Sequence, residues 1–229
     1  GMRDRFVKKA PFLIGVLLGV VTACHTFAAV PSIESRSLRI TFDPNSGNVT
    51  RFDDVRRQRS VLDSPADTHL WEIEGSHENG QPVVFTPAQA REFSWHEQQG
   101  SLQLVWRAFE DTACPELVVV VDVQPGRNSD QLTWHLRLEN ASSGVVKRIA
   151  FPRMSPLTPQ QDERLAVPVW MGELVANPRV SFCTDQAITR REWESPGILS
   201  LQCLALYKQN GPGFCITTDD TRDYLKRFA

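Results

Sequence analysis

The chain has 229 residues, 25 lysines and arginines against 27 aspartates and glutamates, a formal net charge of −2 and 41% hydrophobic residues. A balance with no net positive charge argues against nucleic acid or an anionic membrane surface as a partner, since those require a basic surface. The length is enough for one good core.

The front end has the layout of a secretory signal. Residues 2–29 run from a basic start (Arg3, Arg5, Lys8, Lys9) through an apolar stretch from Ala10 to Ala23 into small residues. The stretch is shorter than the roughly 18 to 20 residues needed to span a bilayer. Two processing routes compete. Val21-Thr22-Ala23-Cys24 resembles a lipobox, with Cys24 as a lipid anchor, and Thr26-Phe27-Ala28 fits the small-x-small rule for plain cleavage, which is the favoured route. Gly1, ahead of Met2, is set aside. Either route places the protein in the periplasm or outside the cell. Removing four basic and one acidic residue with 1–29 leaves 21 basic against 26 acidic, a net charge of −5.

From residue 30 on, the pattern is that of strands. Leu38, Ile40 and Phe42 alternate with polar residues, and Asp43-Pro44-Asn45-Ser46-Gly47 supplies turn chemistry before Val49 and Phe52, which predicts a hairpin. The run Arg56, Arg57, Arg59 reads as a solvated turn. Trp71 and Ile73 alternate with glutamates, Phe93 and Trp95 follow, and Leu102, Leu104, Trp106 and Ala108 form a longer alternating strand. Leu117 to Val121 is continuously apolar, as a central strand covered on both faces would be. Leu132, Trp134, Leu136 and Leu138 then alternate with Thr133, His135 and Arg137. Ser155 to Arg164 is polar and reads as a surface loop, with strand patterning resuming at Leu165. These elements predict an all-β fold, an antiparallel β-sandwich over residues 30–229 preceded by a signal peptide over 1–29.

The last third mixes aromatics with turns: Trp170-Met171-Gly172-Glu173, Asn177-Pro178 and Arg190-Arg191-Glu192-Trp193. It ends in a predicted hairpin around Gly211-Pro212-Gly213, with Leu199 to Tyr207 and Phe214 to Thr218 as a strand pair covered from both sides. Outside the leader stand four cysteines, Cys114, Cys183, Cys203 and Cys215, a number that permits two disulfides in any of three connectivities. If Tyr207 pairs with Phe214, Cys203 and Cys215 point to opposite sides of the sheet and cannot bridge.

Chemistry is sparse. The mature sequence has no nucleophile elbow, phosphate loop or metal-ligand spacing, so no cofactor is expected. Acidic pairs such as Glu72 and Glu74 could approach the roughly 5 to 10 Å separation of glycosidase carboxylates, although solvent-facing strand positions explain them as well. His135 or His96 would have to meet a carboxylate in a concave site to act as an acid–base pair. Tryptophan faces stack on sugar rings. Trp71, Trp95, Trp106 and Trp134 fall in phase with core residues and read as packing. Trp170 and Trp193 fall outside clean alternation, and together with Glu173 and Asp219 they are the candidate ligand-binding residues.

LRITFDPNSGNVTRFDD, LAVPVWMGELVANP and LSLQCLALYKQNGPGFCITTDDTRDYLKRF resemble the N-terminal β-sandwich of a bacterial family of exported glycoside-hydrolase-like proteins, similar to endo-alpha-N-acetylgalactosaminidase-type enzymes. The likeness spans most of residues 37–228, with the final hairpin as its specific part. It implies a supersandwich of the galactose-mutarotase type leading into a (β/α)₈ barrel that carries the catalytic carboxylates. Family members have a His-Asp step where this chain has Thr218-Asp219, and no catalytic residue is carried over. The chain stops at Ala229 soon after a unit that usually hands on to further structure. The expectation is therefore a noncatalytic N-terminal sandwich of an exported carbohydrate-active enzyme, truncated before and supporting a C-terminal catalytic barrel. A stand-alone carbohydrate-binding module is the alternative, and a mutarotase-like epimerase a third.

Overall fold

The computed structural model describes residues 29–62, 68–110, 114–128, 130–141, 144–155, 157–184, 187–188, 191–222 and 224–229. The leader as far as residue 28, with Cys24, lies outside them. Among the described residues the fold is all-β: helix is limited to one 3-10 turn, Pro87–Gln89, and α1 (Pro178–Ser181), and every strand pairing is antiparallel.

The first sheet joins β1 (Ser32–Glu34), β2 (Leu38–Phe42), β3 (Val49–Asp54) and β4 (Arg59–Ser60) in chain order. Its predicted hairpin is present. The Asp43 carboxylate accepts from the backbone N–H of Asn45 at 2.9 Å and of Ser46 at 2.7 Å, so the side chain closes the turn that the backbone then finishes through Gly47 N–H to Asp43 O. Arg57 and Arg59 pair with Asp54 and Arg56 with Asp130, so the basic run is neutralised at the surface.

β5 (Glu72–His77) and β6 (Pro82–Phe85) form a hairpin. β7 (Ala90–Gln98), β8 (Ser101–Phe109), β9 (Val118–Pro125) and β10 (Leu132–Glu139) form a four-stranded meander, and β11 (Gly144–Ala150) returns to pair with β5. Alternation puts Leu102, Leu104 and Trp106 of β8 and Val119, Val121 and Val123 of β9 on one face. That face shares a single buried core with Ile40, Phe42 and Phe52 of the first sheet and with Ile73 and Phe85. Val120, on the other face of β9, is buried as well, as the unbroken apolar run predicts. Trp71 and Trp106 are fully buried, edge to face at 5.5 Å, while Trp95 and Trp134 pack against the core from its margin.

A second, smaller core follows. β12 (Glu163–Val167) lies between β13 (Glu173–Ala176) and a strand of the terminal hairpin, and Val167, Trp193 and Leu199 form the buried cluster. Two short ribbons also lie in this part of the chain: β14 (Cys183–Thr184) with β15 (Ala187–Ile188), and β16 (Trp193–Ser195) with β19 (Lys226–Phe228). Strand structure resumes at Glu163 rather than Leu165, and Glu163, expected on a surface loop, is 2% exposed. Its carboxylate accepts from Arg179 Nε at 2.7 Å and from the Gln160 N–H at 3.0 Å, which is what allows a charge to sit there.

The terminal hairpin is β17 (Cys203–Lys208) and β18 (Gly213–Thr217), with β18 at the sheet edge. Its register differs from expectation by one residue. Tyr207 faces Gly213, because Gly211 N–H bonds to Lys208 O and Lys208 N–H to Pro212 O, closing the loop over five residues. The slip turns each β18 side chain to the other face relative to β17. The pair is also not covered from both sides: Phe214 reaches the main core and meets Phe52 at 6.4 Å, whereas Cys215 and Thr217 on the opposite face are exposed.

Candidate functional site

The Trp170 turn is built from the end of β12. Val169 pairs with Leu199, the Pro168 carbonyl accepts from both the N–H and the hydroxyl of Ser200 at 2.8 Å, and Gly172 N–H donates to Val169 O at 2.7 Å. This closes a turn whose two central residues, Trp170 and Met171, stand away from the protein. Trp170 is 82% exposed. It is also held at φ +52°, a left-handed conformation that costs an L-residue about 1–2 kcal/mol. Several turn residues of this chain share that region, and Trp170 is the bulkiest of them. Glu173, exposed at the start of β13, is paired with Val167 and follows directly on the turn.

The same anchoring segment reaches the third candidate. Leu199 and Ser200 hold the Trp170 turn on one side, and residues 200–203 form one wall of an open cleft whose other wall is residues 217–221, with Asp219 exposed in it. Thr218 N–H to Gln202 O fixes the two walls together. The neighbouring Asp220 is the more constrained carboxylate: the Arg222 N–H, and then Lys226 at 3.2 Å, hold it below the usual aspartate range. Trp193 stands elsewhere. It is 6% exposed, its ring lies 6.0 Å from that of Phe182, and its strand pairs it with Phe228, so its faces are occupied by protein. The structure thus brings Trp170, Glu173 and Asp219 onto elements joined through residues 199–203, with Trp193 buried in the small core.

The Glu72–Glu74 pair is engaged. Glu72 bonds to Arg153 and Glu74 to Arg148, each at 2.9 Å, so both glutamates are ion-paired. Cross-strand pairing also reveals something that no local pattern showed. His96, Gln103, Asp122 and His135 form one row across β7, β8, β9 and β10, on the face away from the core. His135 stands directly beside Asp122, the juxtaposition an acid–base pair requires. The Asp122 carboxylate, however, already accepts from Gln103 at 2.7 Å and from Arg137, and both histidines are exposed on an open sheet face rather than in a cleft. Asp122 interrupts the apolar run of β9 and is the one local signal; only the register joins it and Gln103 to the histidines.

No protein-family model and no curated protein matches this chain.

Proposed function

We propose that this chain is a noncatalytic carbohydrate-recognising β-sandwich domain of an exported carbohydrate-active protein, with Trp170 as its sugar-stacking surface. The observation that carries this reading is the contrast among the six tryptophans. Five are buried in or packed against protein, and Trp170 alone is displayed, on a strained turn with a carboxylate three residues away. An indole presented flat to solvent contacts the apolar face of a pyranose, and neighbouring carboxylates accept from its hydroxyls. The sandwich assignment is supported by the core shared between the β1–β4 sheet and the β7–β10 sheet, and the supersandwich architecture remains a proposal that rests on the resemblance of the three segments quoted above. Export rests on the leader pattern.

Calorimetric titration against a glycan panel tests the reading, with Trp170→Ala alongside. Binding to at least one glycan, reduced tenfold or more in the variant with an unchanged fold, is the expected result. Absence of binding to every glycan, or equal binding by the variant, overturns it.

A scaffolding role beneath a catalytic barrel is favoured by a separate observation. Large apolar side chains are exposed in the last third, among them Leu174, Val180, Leu201, Tyr224 and Leu225, which a docked domain would cover. Reading the source DNA past Ala229 decides it: a barrel-coding continuation supports the role, and an immediate stop codon removes it.

A further inference from the structure

Cys203 pairs with Thr217 and Cys215 with Ala205, and Cys203 and Ala205 lie two residues apart on β17. Strand alternation therefore puts both cysteines on the same face, as diagonal cross-strand neighbours. That face is lined by small side chains: the row through Cys215 continues over Ala205 to Ala166 of β12. Both thiols are free, Cys215 is exposed and Cys203 half-buried, so reagents reach them from solvent. The sulfurs also interact. The Cys215 proton is held more tightly than in an ordinary thiol, through burial first and then through the charge and hydrogen bond of the Cys203 sulfur.

We propose that Cys203 and Cys215 are a cross-strand redox pair, which a small disulfide such as oxidised glutathione closes into a strained bridge and reduced glutathione reopens. One protein thiolate attacks the S–S bond of the donor, which breaks and releases a donor thiolate. The second protein thiolate attacks the protein sulfur of the mixed disulfide and expels the other donor thiolate. The pair gives up two electrons to the donor and two protons to solvent. Strain follows from the geometry: diagonal neighbours have Cα atoms about 7–8 Å apart, beyond the roughly 6.8 Å upper limit of ordinary disulfides. Closure shifts β18 along β17, which an edge strand paired on one side only permits. Strained, exposed bridges are the readily reduced ones.

The sequence offers a direct assay, because Lys208 lies between the two cysteines and trypsin separates residues 192–208 from 209–222. The native chain is incubated with oxidised glutathione, alkylated with N-ethylmaleimide and digested without reduction. The expected product is a disulfide-linked pair of those two peptides, with both thiols lost together and both recovered on adding reduced glutathione. Cys203→Ser should instead leave Cys215 as a persistent glutathione adduct, and Cys215→Ser the converse. Wild-type protein in which the two peptides stay alkylated, carry separate glutathione adducts, or link to Cys114 or Cys183 overturns the proposal. A link that glutathione cannot reopen overturns the redox part of it.

Discussion

The indole Nε1 of Trp106, in the middle of β8, donates a 2.8 Å hydrogen bond to the backbone carbonyl of Ser46, 60 residues earlier in the chain. The turn between β2 and β3 is thereby pinned to the face of the four-stranded meander, and Gly47 lies directly against the ring. A Cβ at position 47 would fall 2.4 Å from Trp106 and 2.5 Å from Phe93, at a φ of +71°. Gly47→Ala should therefore cost about 3 kcal/mol, combining overpacking with left-handed strain. Urea unfolding followed by circular dichroism measures this, and a loss below about 1 kcal/mol would show that the turn moves away freely.

Arg179→Ala should destabilise the protein by about 2–3 kcal/mol, the cost of leaving the Glu163 carboxylate buried without its cation. Arg179 is itself partly exposed, which keeps the effect below that of a fully enclosed pair. Glu163→Gln in the Arg179→Ala background should recover part of the loss, because a neutral amide needs no counter-charge. A double-mutant cycle by thermal unfolding checks both claims.

At position 170, glycine and alanine should differ. Both remove the indole and should abolish glycan binding equally, but glycine adopts φ +52° without strain. Trp170→Gly is therefore expected to be more stable than Trp170→Ala by about 1 kcal/mol. Equal stabilities would mean that the turn relaxes once the tryptophan is gone.

Asp220 should titrate below the usual aspartate range, and replacing Lys226 by methionine should raise its pKa without restoring it fully. The Arg222 N–H is the larger stabiliser of the carboxylate, and it remains in the variant. Since the folded-state pKa is depressed, the stabilisation is present above the unfolded-state pKa and is lost as pH falls through the folded one. Carboxyl-detected NMR titration of wild type and Lys226→Met reads the two values. Identical titrations would place Lys226 outside the interaction.

Within the first two-thirds, the strands with strong local signals are legible in the sequence, whereas β1, β4, β6 and β11, which are short or are placed by distant partners, are not. The β2–β3 hairpin followed from alternation and an Asp-Pro-Asn-Ser-Gly turn, and the buried β9 from an unbroken apolar run. Side-chain pattern alone places the terminal hairpin one residue out of register, since its loop length is set by the turn geometry at Asn210, φ +59°. Gly213 held the clue: a Cβ there would lie 2.3 Å from that of Tyr207, so glycine suits the position opposite that tyrosine. Glu163 looked like loop because its partner, Arg179, lies 16 residues away on a four-residue helix. Trp170 could be singled out by its broken alternation, as Trp193 was, but only three-dimensional packing separates the displayed ring from the enclosed one.

The unequal placement of the tryptophans also makes the protein a two-channel optical sensor. Trp71, Trp106 and Trp193 are shielded by their cores, while Trp170 meets water over most of its surface. Iodide, which does not enter a packed interior, should quench Trp170 preferentially and leave a blue-shifted spectrum from the shielded indoles. A ligand that covers the Trp170 turn would remove that quenching, whereas unfolding would make all six rings quenchable, so occupancy and integrity can be read separately in one sample without any added label.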